Sequence, residues 1–144
     1  MIRHRDTIRF EQIKCFFAAV SYLEEVQRYL LGADEERFSF LMSDTILVEF
    51  DRKERTRIAV FGSMLEKAQV LFPGWLEMID WFRGPFPHSK FAGETPAEQI
   101  AQNGFDAVID FRTAFENVVE RRGLGLSTPF PPPRHFNLIY VVPW

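Results

Sequence analysis

The sequence predicts a mainly α-helical protein: a small helical bundle with a long N-terminal helix, at most two short strands and a Pro-rich extended C-terminal tail. Three observations carry this expectation. Apolar residues recur every three or four positions from Ile8 to Leu30, from Ile58 to Phe72 and from Phe105 to Val119, which is the period of an amphipathic helix. Thr95-Pro96-Ala97-Glu98 writes a helix start, with a capping hydroxyl, a proline where no N–H is needed and a carboxylate three residues after the cap. From Gly123 onward the chain holds five prolines, which forbid a continuous helix and favour extended or polyproline geometry.

Taken in order, Thr7 to Leu31 reads as one long helix with Ile8, Phe10, Ile13, Phe16, Phe17, Val20, Leu23, Val26 and Leu30 on its apolar stripe, stopped by Gly32. Arg37 to Met42 is compatible with a further helical piece, whereas Thr45 to Phe50 has the β-branched content of a short strand or extended segment. The charged run Asp51 to Arg57 leads into a helix with Ile58, Phe61, Leu65, Ala68 and Phe72 on one face, ended by Pro73 and Gly74. Gly74 to Phe82 reads as a short helix with Trp75, Leu76, Met78, Ile79 and Phe82 apolar. Pro96 to Gln102 supplies about two turns. The helix beginning at Phe105 is closed by Arg121, Arg122 and Gly123, basic residues near the carbonyl end and glycine beyond it. Residues 1–122 therefore read as a single helical domain and 123–144 as an extended tail.

A chain of 144 residues, 47% hydrophobic and with sixteen Phe, can bury a sizeable core and keep apolar surface for a partner. The net charge of -3 gives no global reason to bind nucleic acid, although Arg3, His4, Arg5 and Arg9 make a basic start. Cys15 is the one cysteine, which excludes an internal disulfide and a multi-cysteine zinc site. Beside Phe16 and Phe17 it reads as a buried, inert thiol. No apolar run is long enough to span a bilayer, and no signal-peptide core follows the basic start; the expectation is a cytoplasmic protein without membrane contact.

No catalytic constellation stands out. His4, His88 and His135 lie far apart without metal-ligand spacing, so neither a metal nor a cofactor is expected. Asp106 and Asp110 share a helix face, but the helix dipole accounts for the first and the second is expected to face water. Glu24, Glu25, Asp34, Glu35 and Glu36 read as a solvated charge run. By these criteria the protein is not an enzyme.

The middle of the chain is more distinctive. A helix ending at Trp81 is followed by an aromatic, Pro/Gly-punctuated loop from Phe82 to Phe91, then by Gly93-Glu94-Thr95-Pro96, a short helix, Gly104 and a long helix. This order resembles the toxin-binding domain shared by the Xre-, MbcA- and ParS-type antitoxins of bacterial toxin–antitoxin pairs, over roughly residues 51–120. The resemblance implies a bundle whose motif residues Trp81, Phe91, Gly93, Thr95 and Pro96 mainly shape structure. It also implies a cognate toxin as partner, of a type with an Arg-Glu-Ser fold that consumes NAD or transfers ADP-ribose. The tail is the candidate plug for the toxin's cleft, with Arg134, His135, Phe136, Tyr140 and Trp144 as contact residues, since aromatic and arginine side chains dominate interface energetics and prolines reduce the entropy lost on docking. Family antitoxins often carry a helix-turn-helix ahead of this region; here a single long helix is expected in its place, which leaves DNA binding open. Two other readings belong to different classes: a homo-oligomeric assembly protein whose tail swaps between subunits, and a DNA-binding regulator using the arm from Arg3 to Arg9.

Overall fold

Asp51 and Glu54 decide where the longest described helix begins. The Asp51 carboxylate accepts from the Glu54 N–H at 2.8 Å and the Glu54 carboxylate accepts from the Asp51 N–H at 2.9 Å, a complete capping box that satisfies two donors at the helix start. From there α4 (Arg52–Leu71) runs as expected, with Ile58, Phe61, Leu65 and Ala68 buried and the chain turning away at Phe72. The computed structural model describes residues 4–43, 49–84 and 95–125. Over these residues the remaining helices are α1 (His4–Ala19), α2 (Glu24–Leu31), α3 (Glu35–Met42), α5 (Trp75–Arg83), α6 (Pro96–Asn103) and α7 (Phe105–Gly123), and no strand occurs among them. The fold is thus mainly helical. The expected strand from Thr45 to Phe50 falls largely outside the described residues, and its last two positions are irregular chain leading into the α4 cap. The tail beyond Gly125 lies outside them as well.

α4 is the axis of the bundle, packed between α1 and α7. On the α1 side, Phe16 and Phe17 meet Phe61 edge-on, each at 5.6 Å between ring centroids. On the other, Trp81 and Phe82 of α5 sit against Phe111 and Phe115 of α7 at 5.7 to 6.1 Å. Phe16 also touches Phe82 at 5.0 Å, so the two aromatic groups form one seam through the core. Edge-to-face pairs add about 0.5–1.5 kcal/mol each beyond the area they bury, which accounts for much of the use of Phe in this chain.

The structure corrects four sequence expectations. The stretch from Thr7 to Leu31 is two helices, not one. The chain breaks after Ala19, Ser21 takes a left-handed φ of 60°, and α2 starts at Glu24. The break turns Tyr22 inward onto Phe16 and Phe17, at 6.1 and 5.9 Å; on an unbroken helix Phe16 and Tyr22 would stand about 120° apart around the axis. Cys15 is exposed, because it lies about 200° around the helix from buried Ile13. Ile8, Leu23 and Leu76, placed on apolar stripes, are exposed, Leu76 to 73%. Asp110 is only part-exposed, and its carboxyl is raised above the usual carboxylate range by burial and, second, by Asp106.

A buried ion pair joins α3 to α4. Glu54, 3% exposed, receives two hydrogen bonds from the Arg37 guanidinium, at 2.7 Å from Nε and 2.6 Å from Nη2. Arg37 Nη2 also donates to the Glu49 carbonyl at 2.7 Å, and the Arg37 N–H donates to the Asp34 carboxylate that caps α3 at 2.8 Å. Arg37→Ala leaves a buried carboxylate with no counter-charge, and urea unfolding should show a loss of about 2–4 kcal/mol, below the value for a wholly buried pair because the guanidinium is partly solvated. Between α6 and α7, Gly104 adopts φ 70° and ψ -145°, a region reserved for glycine, and a Cβ there would lie 2.5 Å from the Tyr29 ring. Gly104→Ala should cost about 1–3 kcal/mol in the same assay, with no change in helical content at low temperature.

Candidate functional site

The distinctive sequence between α5 and α6 lies outside the described residues from 85 to 94, and the described chain resumes at Thr95. The structure forms a cleft of about 450 Å³, lined by Arg83, by Thr95, Ala97, Glu98 and Ala101 of the α6 region, and by Val20, Ser21, Tyr22, Leu23 and Val26 of the α1–α2 corner. Three local features build it. The Thr95 hydroxyl accepts from the Glu98 N–H at 3.0 Å, so α6 starts where the sequence indicates, with Pro96 buried at its first turn. The cap consists of this half alone, and Glu98 is exposed and turned to the cleft. The Ser21 backbone, strained for a residue other than glycine, lets the corner face α6. Third, the Tyr22 hydroxyl crosses the floor and donates to the Ala97 carbonyl at 2.5 Å, while the Tyr22 carbonyl accepts from Gln27 Nε2 at 2.9 Å.

The walls are chiefly apolar, and Arg83 and Glu98 place one cation and one anion at the rim. Leu23, 68% exposed, is held in water by the corner. Such a lining suits noncovalent docking of a segment with an apolar side chain and a charged group at each end. Among the described residues no group of His, Cys, Asp or Glu is arranged to hold a metal, and no described helix is long and apolar enough to cross a membrane.

Of the motif residues, Trp81 is buried in the aromatic seam, touching Phe72, Phe82, Phe111 and Phe115, and Thr95 and Pro96 form the helix start. Phe91 and Gly93 lie outside the described residues, as do Phe86 and His88 of the same loop. So do Arg134, His135, Phe136, Tyr140 and Trp144 of the tail, and Arg3 of the basic arm. Sequence reasoning did not single out Arg83, Ser21 or Tyr22 for the site; the acidic pair Glu24 and Glu25, a first-turn signal, marked the helix start that creates the corner. A further correction concerns the region before α4. Its two short helices α2 and α3 are joined by a tight turn through Gly32, at φ 69°, with Asp34 capping the second. The short helix pair expected to be missing is therefore present. It carries Glu24, Glu25, Asp34, Glu35 and Glu36, all exposed, with Glu35 3.9 Å from Arg28.

Burial pushes the Tyr22 phenol far above its usual range. Its unfolded counterpart ionises near pH ~10, so the folded state loses stability as pH rises through that value. Tyr22→Phe should cost about 0.5–1.5 kcal/mol at pH 7 through the lost hydrogen bond. Its stability should also fall less steeply than that of the wild type above pH ~10, as followed by thermal denaturation across pH. No protein-family model, characterised protein or solved structure matches the chain.

Proposed function

We propose that the protein is a non-catalytic, antitoxin-like binding protein that acts in the cytoplasm and neutralises a cognate toxin of the NAD-consuming or ADP-ribosylating type. One observation carries the reading: Arg83 and Thr95, the described residues nearest the two ends of the distinctive sequence, both line one cleft with mainly apolar walls. That is the organisation a partner-binding loop needs, with a rigid helical frame fixing both ends of a recognition segment. The resemblance over residues 51–120 supplies the class of partner. In this reading the tail residues Arg134, His135, Phe136, Tyr140 and Trp144 enter the toxin's nucleotide cleft, Arg134 pairing with a carboxylate there. The five exposed acidic residues of the α2–α3 region disfavour a helix-turn-helix contact with DNA.

The test is purification of the protein from its native host at physiological salt, followed by NAD-turnover assays on whatever enzyme accompanies it. A small enzyme present in near-equal amount, whose NAD consumption stops when one equivalent of the full chain is added, is the expected result. A protein that emerges alone as a symmetric oligomer, or a companion whose turnover is indifferent to it, would overturn the proposal and favour the assembly role. Shortening the chain at Leu126 should abolish inhibition while preserving the helical circular dichroism; protection by the shortened chain would remove the tail from the mechanism.

A further inference from the structure

We propose that the cleft between the first turns of α1 and α4 binds a di- or triphosphate group, an inference that does not depend on the toxin-binding reading. The cleft has a volume of about 390 Å³ and is lined by Arg5, Asp6 and Arg9 from α1 and by Arg52, Arg55 and Thr56 from α4. In the sequence these arginines belong to two separate charged stretches, and the packing of α1 on α4 brings them to one place. Arg9 is a fixed wall: its guanidinium is held by the Glu66 carboxylate at 3.0 and 3.3 Å, and its stem fills the space left by Gly62. Arg5, Arg52 and Arg55 make no ion pair among the described residues, although Arg55 lies within the field of Glu49.

The placement of these cations is electrostatically costly. Arg5 and Arg52 stand in the first turns of their helices, where the dipole favours negative charge and opposes positive charge. Asp6 and the Asp51 cap offset part of this, and Arg5, Arg52 and Arg55 still bring three positive charges to the lining of one cleft. An anion would relieve both the dipole conflict and the mutual repulsion. Planar guanidiniums match phosphate oxygens bidentately, and several of them converging favour a ligand with more than one phosphate over a single carboxylate. A nucleic acid duplex needs a stripe of cations along its backbone, whereas here they gather in one cleft of a chain with net charge -3. The Thr56 hydroxyl already donates to the Arg52 carbonyl at 3.0 Å, so the arginines alone supply the donors to the ligand.

The full-length protein should be titrated by calorimetry at physiological ionic strength with inorganic pyrophosphate and, separately, with ADP. Saturable one-to-one binding is expected, and Arg5→Gln, Arg52→Gln and Arg55→Gln combined should weaken it by at least about tenfold. Pyrophosphate should raise the thermal midpoint of the wild type but not of the triple variant. The ligand-free variant should melt no lower than the wild type, because the substitutions remove repulsion. Equal affinity for the two ligands assigns the phosphates as the whole determinant; tighter binding of ADP assigns a nucleotide; both support the site. Absence of saturable heat with either, or unchanged affinity in the triple variant, overturns it. Displacement of pyrophosphate by a short DNA duplex that binds more tightly also overturns it and assigns the cleft to nucleic acid.

Discussion

The Glu54 carboxylate is the constraint around which the bundle is arranged. It is buried, so its charge costs several kcal/mol of lost hydration unless it is answered by good hydrogen bonds. Three converge on it, two from Arg37 and one from the Asp51 N–H. Each donor comes from a different part of the chain: Arg37 from α3, Asp51 from the segment that enters α4. Answering one buried charge therefore fixes the start of α4 and the position of α3 beside it. The Arg37 guanidinium also holds the Glu49 carbonyl, so the end of the segment that enters α4 is tied to α3, while the Arg37 backbone N–H completes the Asp34 cap at the start of α3.

Once α4 is placed, the aromatic seam follows. Phe61 projects to the α1 side, where Phe16 and Phe17 meet it, and Phe16 continues the contact to Phe82. Trp81 and Phe82 are adjacent in α5 and both buried, because the short helix lies across the Phe111 and Phe115 face of α7. Arg57, one turn after the capping box, adds a polar link: it donates to the Leu30 carbonyl at 2.9 Å, closing the end of α2, and stacks over the Phe105 ring at 4.8 Å. A single side chain of α4 thus holds the end of one helix and the beginning of another.

Helix periodicity and cap chemistry made most of these elements legible in the sequence. The face of α4, the Thr95 start of α6 and the basic close of α7 are local signals, written within a few residues of where they act. The break after Ala19 was hidden because Val20, Leu23 and Val26 continue the three-and-four spacing across it, and neither glycine nor proline marks it. Its cause is long-range: Tyr22 finds its partners at Phe16, Phe17 and the Ala97 carbonyl, the last of them in α6. The α4 start was open to the same argument used at Thr95, since Asp51 and Glu54 have the same spacing as Thr95 and Glu98. Charge in the run Asp51 to Arg57 obscured it. The cleft itself could not be read, because its walls come from the corner around Tyr22 and the helix start around Ala97, 75 residues apart in the sequence.

The break also changes what the N-terminal half is for. A continuous helix would have buried its stripe against α4 and ended there, a purely structural element. Divided at Ser21, the same residues do three things. α1 supplies the Phe16 and Phe17 side of the seam, the corner supplies one wall of the cleft at the loop, and α2 with α3 forms a short pair held to α4 through Arg57 and Glu54. Backbone in the left-handed region is unfavourable for serine by about 1–3 kcal/mol, and here it persists because the Tyr22 hydrogen bond and ring contacts hold the corner in place. Strain maintained by long-range contacts keeps Leu23 exposed beside the cleft that Arg83 and Thr95 also line, which is consistent with the partner-binding surface proposed above.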